Sequence, residues 1–288
     1  MVESDTVILM IRVLKNSGQM EPFDPKKVER SLRNSGADDR LIDSILQEVN
    51  QEIYDGITTR KLYDRIYSLL RKGKRLASDR YNLKSAIAEL GPTGYPFEKF
   101  IARLLTHSGY QTQTNVTAPG KCVTHEIDVV AVKGKDRMMV ECKFHARPEG
   151  RSDVKTALYI KARFDDLVFG ANRSNQNLKF HKAWLVTNTK LTFDAITYGE
   201  CVGLKMLAWS YPKTGSLQNL IEAANLYPVT SLSLLSADQK LKLLSQDIVL
   251  CRDILNKIDV VAGLLNLSRP QANLLLKQAS ALCGVDSF

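Results

Sequence analysis

The sequence lacks the features of a membrane or secreted protein. No apolar run reaches the roughly 18 residues that a membrane-spanning helix needs. Acidic residues precede the first short apolar run, which is the reverse of a signal peptide. The five cysteines are scattered and odd in number, so a disulfide framework is not expected. No GxxxxGK[ST] loop is present, so the sequence does not suggest a P-loop motor. We therefore expect a cytoplasmic protein without a membrane anchor.

The chain has more basic than acidic residues. Its 288 residues include 40 Lys and Arg against 31 Asp and Glu, a formal net charge of +9. Most of the excess lies in residues 91–228, which carry 18 basic and 12 acidic residues. A basic surface favours a polyanionic partner such as nucleic acid. A solvated basic surface without such a partner is the alternative.

Apolar spacing divides the chain into three segments, 1–90, 95–228 and 229–288, with a Gly-Pro-Thr-Gly linker at 91–94. The first combines a strand and turn, at 7–14 and 16–18, with helices, the last at 78–90. The second predicts helix, three strands, helix and strand, an α/β layer fold. These elements cover residues 96–108, 112–117, 127–132, 138–144, 154–164 and 183–187. The third is helical, with capping boxes that begin at Ser236 and Ser268.

The central segment carries an acid on one apolar strand and an acid and a lysine on the next. Glu141 and Lys143 lie two apart, so their side chains share one face of the strand. If Asp128 falls opposite Cys142 across the hairpin, its carboxylate lies near both. Converging carboxylates repel unless a cation lies between them, and Mg²⁺ prefers such oxygen ligands. The pattern predicts metal-dependent phosphodiester cleavage, with Lys143 orienting water or neutralising charge on the phosphate.

Two other interpretations of this stretch stay open. Charged residues on the solvated face of a hairpin would show the same spacing, although the apolar flanks predict burial, which makes idle charges costly. Cys122-x-x-His125 and Cys142-x-x-His145 have the spacing of zinc ligands. On a regular strand, however, Cys142 and His145 point to opposite faces.

The same stretch resembles the PD-(D/E)xK nuclease superfamily, specifically the Mrr-like restriction endonucleases. The likeness is carried by residues 97–102, 104–105, 108–110, 127–131 and 140–143. The resemblance implies that Asp128 and Glu141 bind Mg²⁺ or Mn²⁺. It makes Lys143 the catalytic lysine and Glu98 an auxiliary acid. Two residues of the following helix become candidates for DNA contact, namely Lys161 and Arg163.

Residues 8–90 resemble the ATP-cone, a nucleotide-binding regulatory domain found in ribonucleotide reductases and their transcriptional repressor. The likeness is carried by residues 13–18, 21–28 and 54–59. It implies that ATP or dATP binds as a regulatory ligand and is not hydrolysed. The positions that match the family's phosphate contacts are Lys15, Lys27 and Thr59. Those that match its nucleoside contacts are Glu21 and Asp24.

The last segment loosely resembles half of a helix-hairpin-helix at 260–283. Its nearly balanced charge favours assembly over DNA contact. Together the segments predict a nucleotide-regulated, Mg²⁺-dependent DNA endonuclease for restriction or antiviral defence. Cutting both strands with one site per protomer favours a homo-oligomer. The alternatives are a nucleotide-sensing DNA-binding regulator with an inactive nuclease domain, and a nuclease that acts on RNA.

Overall fold

The protein forms two compact units, Met1–Asn82 and Leu83–Phe288. In this computed structural model, residues 11–15, 18–174 and 179–285 are described. The strand predicted at 7–14 and the turn predicted at 16–18 therefore lie partly outside the described residues. Across those ranges, no helix combines the length and the apolar character that crossing a membrane requires.

The described part of the first unit is a small α+β structure, as predicted. Strand β1 (Arg12–Leu14) pairs antiparallel with β2 (Met20–Pro22) and parallel with β3 (Ile57–Thr58). The helices are α1 (Pro25–Asn34), α2 (Asp39–Glu52), α3 (Thr59–Gly73) and α4 (Arg75–Tyr81). Their apolar faces share one core that includes Leu32, Ile42, Ile45, Val49, Ile66 and Leu70. Asp24 caps α1 by accepting a hydrogen bond from the backbone N–H of Lys26 at 3.0 Å.

The second unit begins with α5 (Leu83–Ala88) and continues into a mixed five-stranded sheet. The predicted helix 78–90 is thus two helices, which lie in different units. The elements from α6 to α7 are α6 (Tyr95–His107), β4 (Gln111–Pro119), β5 (Thr124–Lys133), β6 (Asp136–Lys143), β7 (Arg151–Ser152) and α7 (Val154–Ser174). They are followed by β8 (Lys182–Thr187), β9 (Lys190–Leu191), α8 (Phe193–Cys201), β10 (Lys205–Leu207) and α9 (Leu217–Ala224).

The strand order of the sheet is β10-β8-β6-β5-β4, with β4 at one edge. Neighbours among β4, β5 and β6 are antiparallel, whereas β6, β8 and β10 run parallel. This confirms the predicted αβββαβ core. Strands β5 and β6 are apolar because helices cover both faces of the sheet. Met139 of β6, for example, is buried in a cluster that includes Ile160 and Leu167 of α7.

The chain ends in helices, as predicted. A 3₁₀ turn (Val229–Ser231) precedes α10 (Ala237–Ser245), α11 (Cys251–Leu255), α12 (Ile258–Leu265) and α13 (Arg269–Cys283). Both predicted capping boxes are present, at Ser236 and Ser268. Thr230 Oγ1 donates to the carbonyl oxygen of Ala86 on α5 at 2.6 Å, so the helical segment packs inside the second unit. The boundaries of the three predicted domains stay a prediction.

Candidate functional sites

The β5–β6 hairpin carries the acid–lysine motif. The last pair of its ladder is Val129 with Val140. This register would place Asp128 opposite Glu141, so the expected pairing of Asp128 with Cys142 is wrong by one residue. Beyond the last ladder pair, the side chain of Asp128 serves as the hydrogen-bond acceptor in place of a backbone carbonyl group. Its Oδ2 accepts a hydrogen bond from the backbone N–H of Cys142 at 2.7 Å. In this register the Asp128 carboxylate still lies beside the strand position of Glu141.

The backbone is also irregular on the other side of Asp128. Thr114 pairs with Val129 and Val116 with Ile127, but Asn115 and Asp128 between them form no ladder pair. Asn115 has a φ of 55°, in the left-handed region that asparagine tolerates better than most residues. Such conformations cost free energy and cluster at functional sites. Asp128 therefore lies where the regular sheet is interrupted.

Arg163 of α7 is the cation that meets Glu141. Its Nη1 lies 2.5 Å from Oε2 of Glu141, and the two side chains are only 9% and 17% exposed. The guanidinium also donates to the carbonyl oxygen of Glu126 and lies over the ring of Tyr159, 5.4 Å from its centroid. Helix α7 thus places Arg163 next to Glu141. Its predicted contact with DNA stays a prediction.

Burial and mutual repulsion shift the acids of this site. Burial, followed by the charge of Asp128, raises the pKa of Glu141 to about 7, although Arg163 opposes the shift. Burial also raises the pKa of Glu98 on α6 to about 7, with repulsion from Asp128 and Glu141 adding to it. Burial raises the pKa of Asp128 against the hydrogen bond from the backbone. The carboxyl groups of Glu98, Asp128 and Glu141 therefore share one poorly solvated region, and their roles in catalysis stay a prediction.

The donor set fits a hard divalent cation. Oε2 of Glu141 is buried and lies 2.5 Å from Nη1 of Arg163, yet burial and the charge of Asp128 still raise the pKa of this carboxyl group to about 7. A further cation nearby would stabilise its ionised form. Mg²⁺ is held by one or two carboxylates and keeps several waters, so Asp128 and Glu141 suffice. Within residues 11–15, 18–174 and 179–285, no three His, Cys, Asp or Glu side chains are grouped to hold a metal. Water and substrate oxygens would supply the remaining ligands.

The residues with zinc-ligand spacing lie in separate contacts. Nε2 of His125 is 2.8 Å from Oδ2 of Asp166. Nε2 of His145 is 3.1 Å from Oγ of Ser152. Of the two cysteines in the pattern, Cys122 is exposed, whereas the other is buried. Each histidine thus has a hydrogen-bond partner of its own.

Asp166 is a residue that the sequence pattern did not reveal. Besides contacting His125, its carboxylate accepts hydrogen bonds from the backbone N–H groups of Cys122 at 2.9 Å and Val123 at 3.3 Å. The hydrogen bond with His125, together with these two, lowers the pKa of Asp166 to about 2. Asp166 thereby fixes the β4–β5 loop on α7. In the sequence, Asp166 is the second of two neighbouring acids on an amphipathic helix, and nothing in that pattern indicates a contact with the loop.

Two glycines permit this close packing of loop and helix. A Cβ atom on Gly170 of α7 would lie 2.4 Å from the carbonyl carbon of Gly120. A Cβ atom on Gly120 would lie 2.0 Å from Oδ2 of Asp166. Real Cβ atoms do not approach other atoms so closely, so both positions require glycine.

Lys143 ends β6 and is exposed. Just beyond it, His145 and Asn188 exchange two hydrogen bonds of 2.8 Å, one from each to the other. Ser152 and Thr187 are buried beside them, with their hydroxyl oxygens 3.5 Å apart. This polar cluster, which sequence reasoning missed, lies after the carboxyl ends of the parallel strands β6 and β8. Such ends are common ligand sites in α/β sheets.

Lys161, the second predicted DNA contact, is half-buried on α7. Its Nζ lies 2.6 Å from Asp165, one helical turn further on. The ion pair is local to the helix surface, and the predicted DNA contact stays untested.

The predicted nucleotide-binding residues lie around the three-stranded sheet of the first unit. Nζ of Lys15 is 2.6 Å from Oε2 of Glu21. The parallel pairing of Leu14 with Thr58 brings the start of α3, and with it Thr59, beside the end of β1. The structure therefore brings Lys15, Glu21 and Thr59 to neighbouring positions.

The remaining two predicted residues begin α1. Asp24 uses its carboxylate as the helix cap, whereas Lys27 is exposed. At the start of α3, Thr58 is the capping residue, because its Oγ1 accepts a hydrogen bond from the backbone N–H of Lys61 at 3.2 Å. Thr59 is the first helical residue. The nucleotide roles of all five residues stay a prediction.

Three stretches of the chain match known families. Residues 11–88 match the ATP cone domain, residues 91–209 match the Mrr catalytic domain described as "Restriction endonuclease", and residues 227–283 match "AF1548-like, C-terminal". An "Uncharacterized protein" of Archaeoglobus fulgidus is 36% identical over 186 residues, covering 64% of this chain and 100% of that protein. The crystal structure titled "Protein of Unknown Function AF1548" is 35% identical, with a TM-score of 0.55. It covers 67% of this chain and 99% of that one.

Proposed function

Because the chain belongs to the Mrr-like restriction endonucleases and carries an ATP-cone domain before the nuclease domain, we propose that it is a Mg²⁺-dependent DNA endonuclease regulated by ATP or dATP. One observation carries the proposal most: the Asp128 carboxylate accepts a hydrogen bond from the backbone N–H of Cys142, the residue between Glu141 and Lys143, and its charge helps to raise the pKa values of Glu141 and Glu98. Idle charges in a poorly solvated region are costly. A divalent cation would relieve the repulsion among these carboxyl groups.

Each residue has a distinct role in the proposed reaction. Asp128 and Glu141 would hold the cation, which would supply Lewis-acid activation of water and stabilisation of charge on the phosphate. The backbone N–H of Cys142 orients the Asp128 carboxylate. The Lys143 ammonium, at the exposed end of β6, neutralises a phosphate oxygen. Glu98, whose pKa burial raises to about 7, can hold or release a proton near neutral pH.

Plasmid nicking tests the nuclease. Wild type is expected to nick supercoiled DNA with Mg²⁺ or Mn²⁺ and not with EDTA. Asp128→Asn, Glu141→Gln and Lys143→Met should each lower the rate by at least roughly 100-fold, the scale for losing one electrostatic catalytic group. Lys135→Met, in the exposed turn of the same hairpin, is the matched control and should keep full activity. Undiminished nicking by all three site variants would refute the assignment.

The same assay separates the alternative functions. No nicking by the wild type under any metal and nucleotide condition, together with retained DNA binding, would favour a nucleotide-sensing regulator with an inactive nuclease domain. Faster cleavage of RNA than of DNA would make the protein a ribonuclease. Running each condition with and without dATP shows whether the nucleotide activates or inhibits.

Nucleotide binding has its own test, because it concerns the first unit. Titration calorimetry should detect ATP or dATP binding to the intact protein. Lys15→Ala and Lys27→Ala should weaken it by roughly tenfold or more, about 1.4 kcal/mol. Lys26→Ala is the matched control, since Lys26 contributes its backbone N–H to the Asp24 cap and not its side chain. An absence of binding to wild type would remove regulation by nucleotide from the proposal.

A role in restriction or antiviral defence in the cytoplasm follows from the nuclease family and is part of the proposal. Cells that express the wild type should resist phage infection, whereas cells that express Asp128→Asn should not. We also propose a homo-oligomer, because one site per protomer cuts one strand at a time. Light scattering that gives a monomer with and without nucleotide and DNA would contradict this.

A further inference from the structure

The last two helices are joined by a tight turn. Helix α12 ends at Leu265, and Asn266 follows with a φ of 52° in the left-handed region. The backbone N–H of Leu267 donates back to the carbonyl oxygen of Ala262 at 2.9 Å, which closes α12. Ser268 then caps α13. Two helices linked by three residues have the spacing of a helix-turn-helix.

Burial separates an inner and an outer side of this pair. Val261 and Leu265 of α12 are buried, as are Ala272 and Leu275 of α13. The spacing of these four residues turns one apolar side of each helix inward, where α11, α12 and α13 pack together. The opposite side of α13 is left to solvent from its first turn onward.

The solvent side of α13 carries Arg269, Asn273 and Lys277, all exposed. They are spaced by four residues, so they form one stripe along the helix. Within the described ranges, neither Arg269 nor Lys277 has an ion-pair partner, whereas Lys240 of α10 is paired with Glu89. Residues 266–285 contain no Asp or Glu. The stripe is therefore a local positive surface in a segment of nearly balanced charge.

The side-chain types of the stripe are those that read DNA bases. Arginine and lysine recognise guanine, and asparagine recognises adenine, through their edges in the major groove. Gln271 is less suited to this, because its Oε1 already accepts from the N–H and the Oγ of Ser268 at 2.9 and 3.0 Å. Asp253, an acid of α11, is likewise engaged, since it accepts from the backbone N–H of Leu250 at 3.1 Å.

From these observations we propose that α12 and α13 are a helix-turn-helix that binds duplex DNA, with the N-terminal half of α13 in the major groove. Recognition helices of this motif contact base edges through their N-terminal residues. The site is separate from the acid cluster of the nuclease domain. The helix-turn-helix would select or hold the duplex that the nuclease cuts. This role differs from the expectation that the segment serves assembly.

Fluorescence anisotropy on the full chain tests the proposal. All variants carry Asp128→Asn and are measured in EDTA, so the DNA is not cleaved during the measurement. The result therefore does not depend on whether the nuclease is active. Adding Arg269→Gln and Lys277→Gln removes two positive charges and keeps residues that favour a helix. The change should weaken binding to a random-sequence duplex by roughly tenfold or more, because fewer phosphates are neutralised. It should also reduce the slope of log affinity against log salt by about one per lost phosphate contact. Lys242→Gln, at an exposed lysine of α10, is the matched control.

Selection of bound duplexes from a random pool gives a second readout. Wild-type side chains on the Asp128→Asn background should enrich a sequence pattern, and Asn273→Ala should relax the preference at one position of it. Unchanged affinity and unchanged salt slope in the double variant would overturn the proposal. So would a change in its oligomeric mass by light scattering while DNA binding stays the same, which would assign the stripe to contact with a second copy.

Discussion

Neutralising Glu141 should stabilise the metal-free protein. Burial and the charge of Asp128 raise the pKa of Glu141 from 4.5 to about 7. At about 1.4 kcal/mol for each factor of ten in the ionisation constant, the ionised carboxylate costs the folded state roughly 3 kcal/mol. Because the folded-state pKa is the higher one, this cost is absent below about pH 4.5 and grows until about pH 7. Glu141→Gln removes it while keeping the shape of the side chain.

The assay is urea unfolding in EDTA, followed by tryptophan fluorescence. Both tryptophans, Trp184 and Trp209, lie in the second unit, so the signal reports on the unit that contains the site. At pH 8 Glu141→Gln should unfold with a free energy about 3 kcal/mol higher than wild type. Near pH 4.5 the two proteins should unfold alike. Glu222→Gln on α9, outside the acid cluster, is the control and should show no such pH-dependent gain.

Magnesium should remove most of this difference in stability. A cation held by Asp128 and Glu141 binds the folded state only, so it adds about 2.7 kcal/mol at a concentration of 100 times its Kd. Wild type at pH 8 should gain this stability, and Glu141→Gln should gain little. If the variant is no more stable than wild type at pH 8 in EDTA, the acids are not strained against one another. The proposed reason for a metal at this site would then be wrong.

Three further predictions concern neighbouring residues. Asp166→Asn should speed hydrogen exchange at the backbone amide of Val123, because the neutral side chain is the weaker acceptor; unchanged exchange by mass spectrometry would contradict the loop anchor. Gly170→Ala should destabilise by about 1–3 kcal/mol, since its Cβ would clash with Gly120; an unchanged melting temperature would show that the helix and loop can separate. Glu98→Gln should move the acid limb of the pH–rate profile for nicking to lower pH, since one fewer negative charge lets the metal-binding acids ionise more readily.

The sequence allowed the αβββαβ core to be predicted because its central strands, β5 and β6, are rich in apolar residues and the flanking segments have helical spacing. The shared face of Glu141 and Lys143 on β6 was predictable for a similarly local reason, because side chains two residues apart on a strand point the same way. The register was wrong by one residue because the hairpin turn is tighter than the one that places Asp128 opposite Cys142. Lys133 pairs with Asp136 across a two-residue turn, Gly134-Lys135, and this pairing sets the register of the whole ladder. Periodicity alone does not show at which residue such a turn begins.

Arg163 and Asp166 show what local patterns miss. Both lie on a helix whose charged residues look solvated in sequence, and each meets a partner that only the tertiary structure supplies. Arg163 reaches Glu141 and Asp166 reaches His125, each across more than 20 positions of chain. A motif search that stops at the hairpin finds the acids but not the cation that balances them.

The left-handed backbone conformation of Asn115 has a consequence for aggregation. Strand β4 is an edge of the sheet, and its nine residues, Gln111–Pro119, contain no charged side chain. A long uncharged edge strand is a template for pairing with another chain. The interruption at Asn115 breaks the regular row of backbone donors and acceptors halfway along it. The same irregularity that flanks Asp128 therefore also guards the edge against aggregation.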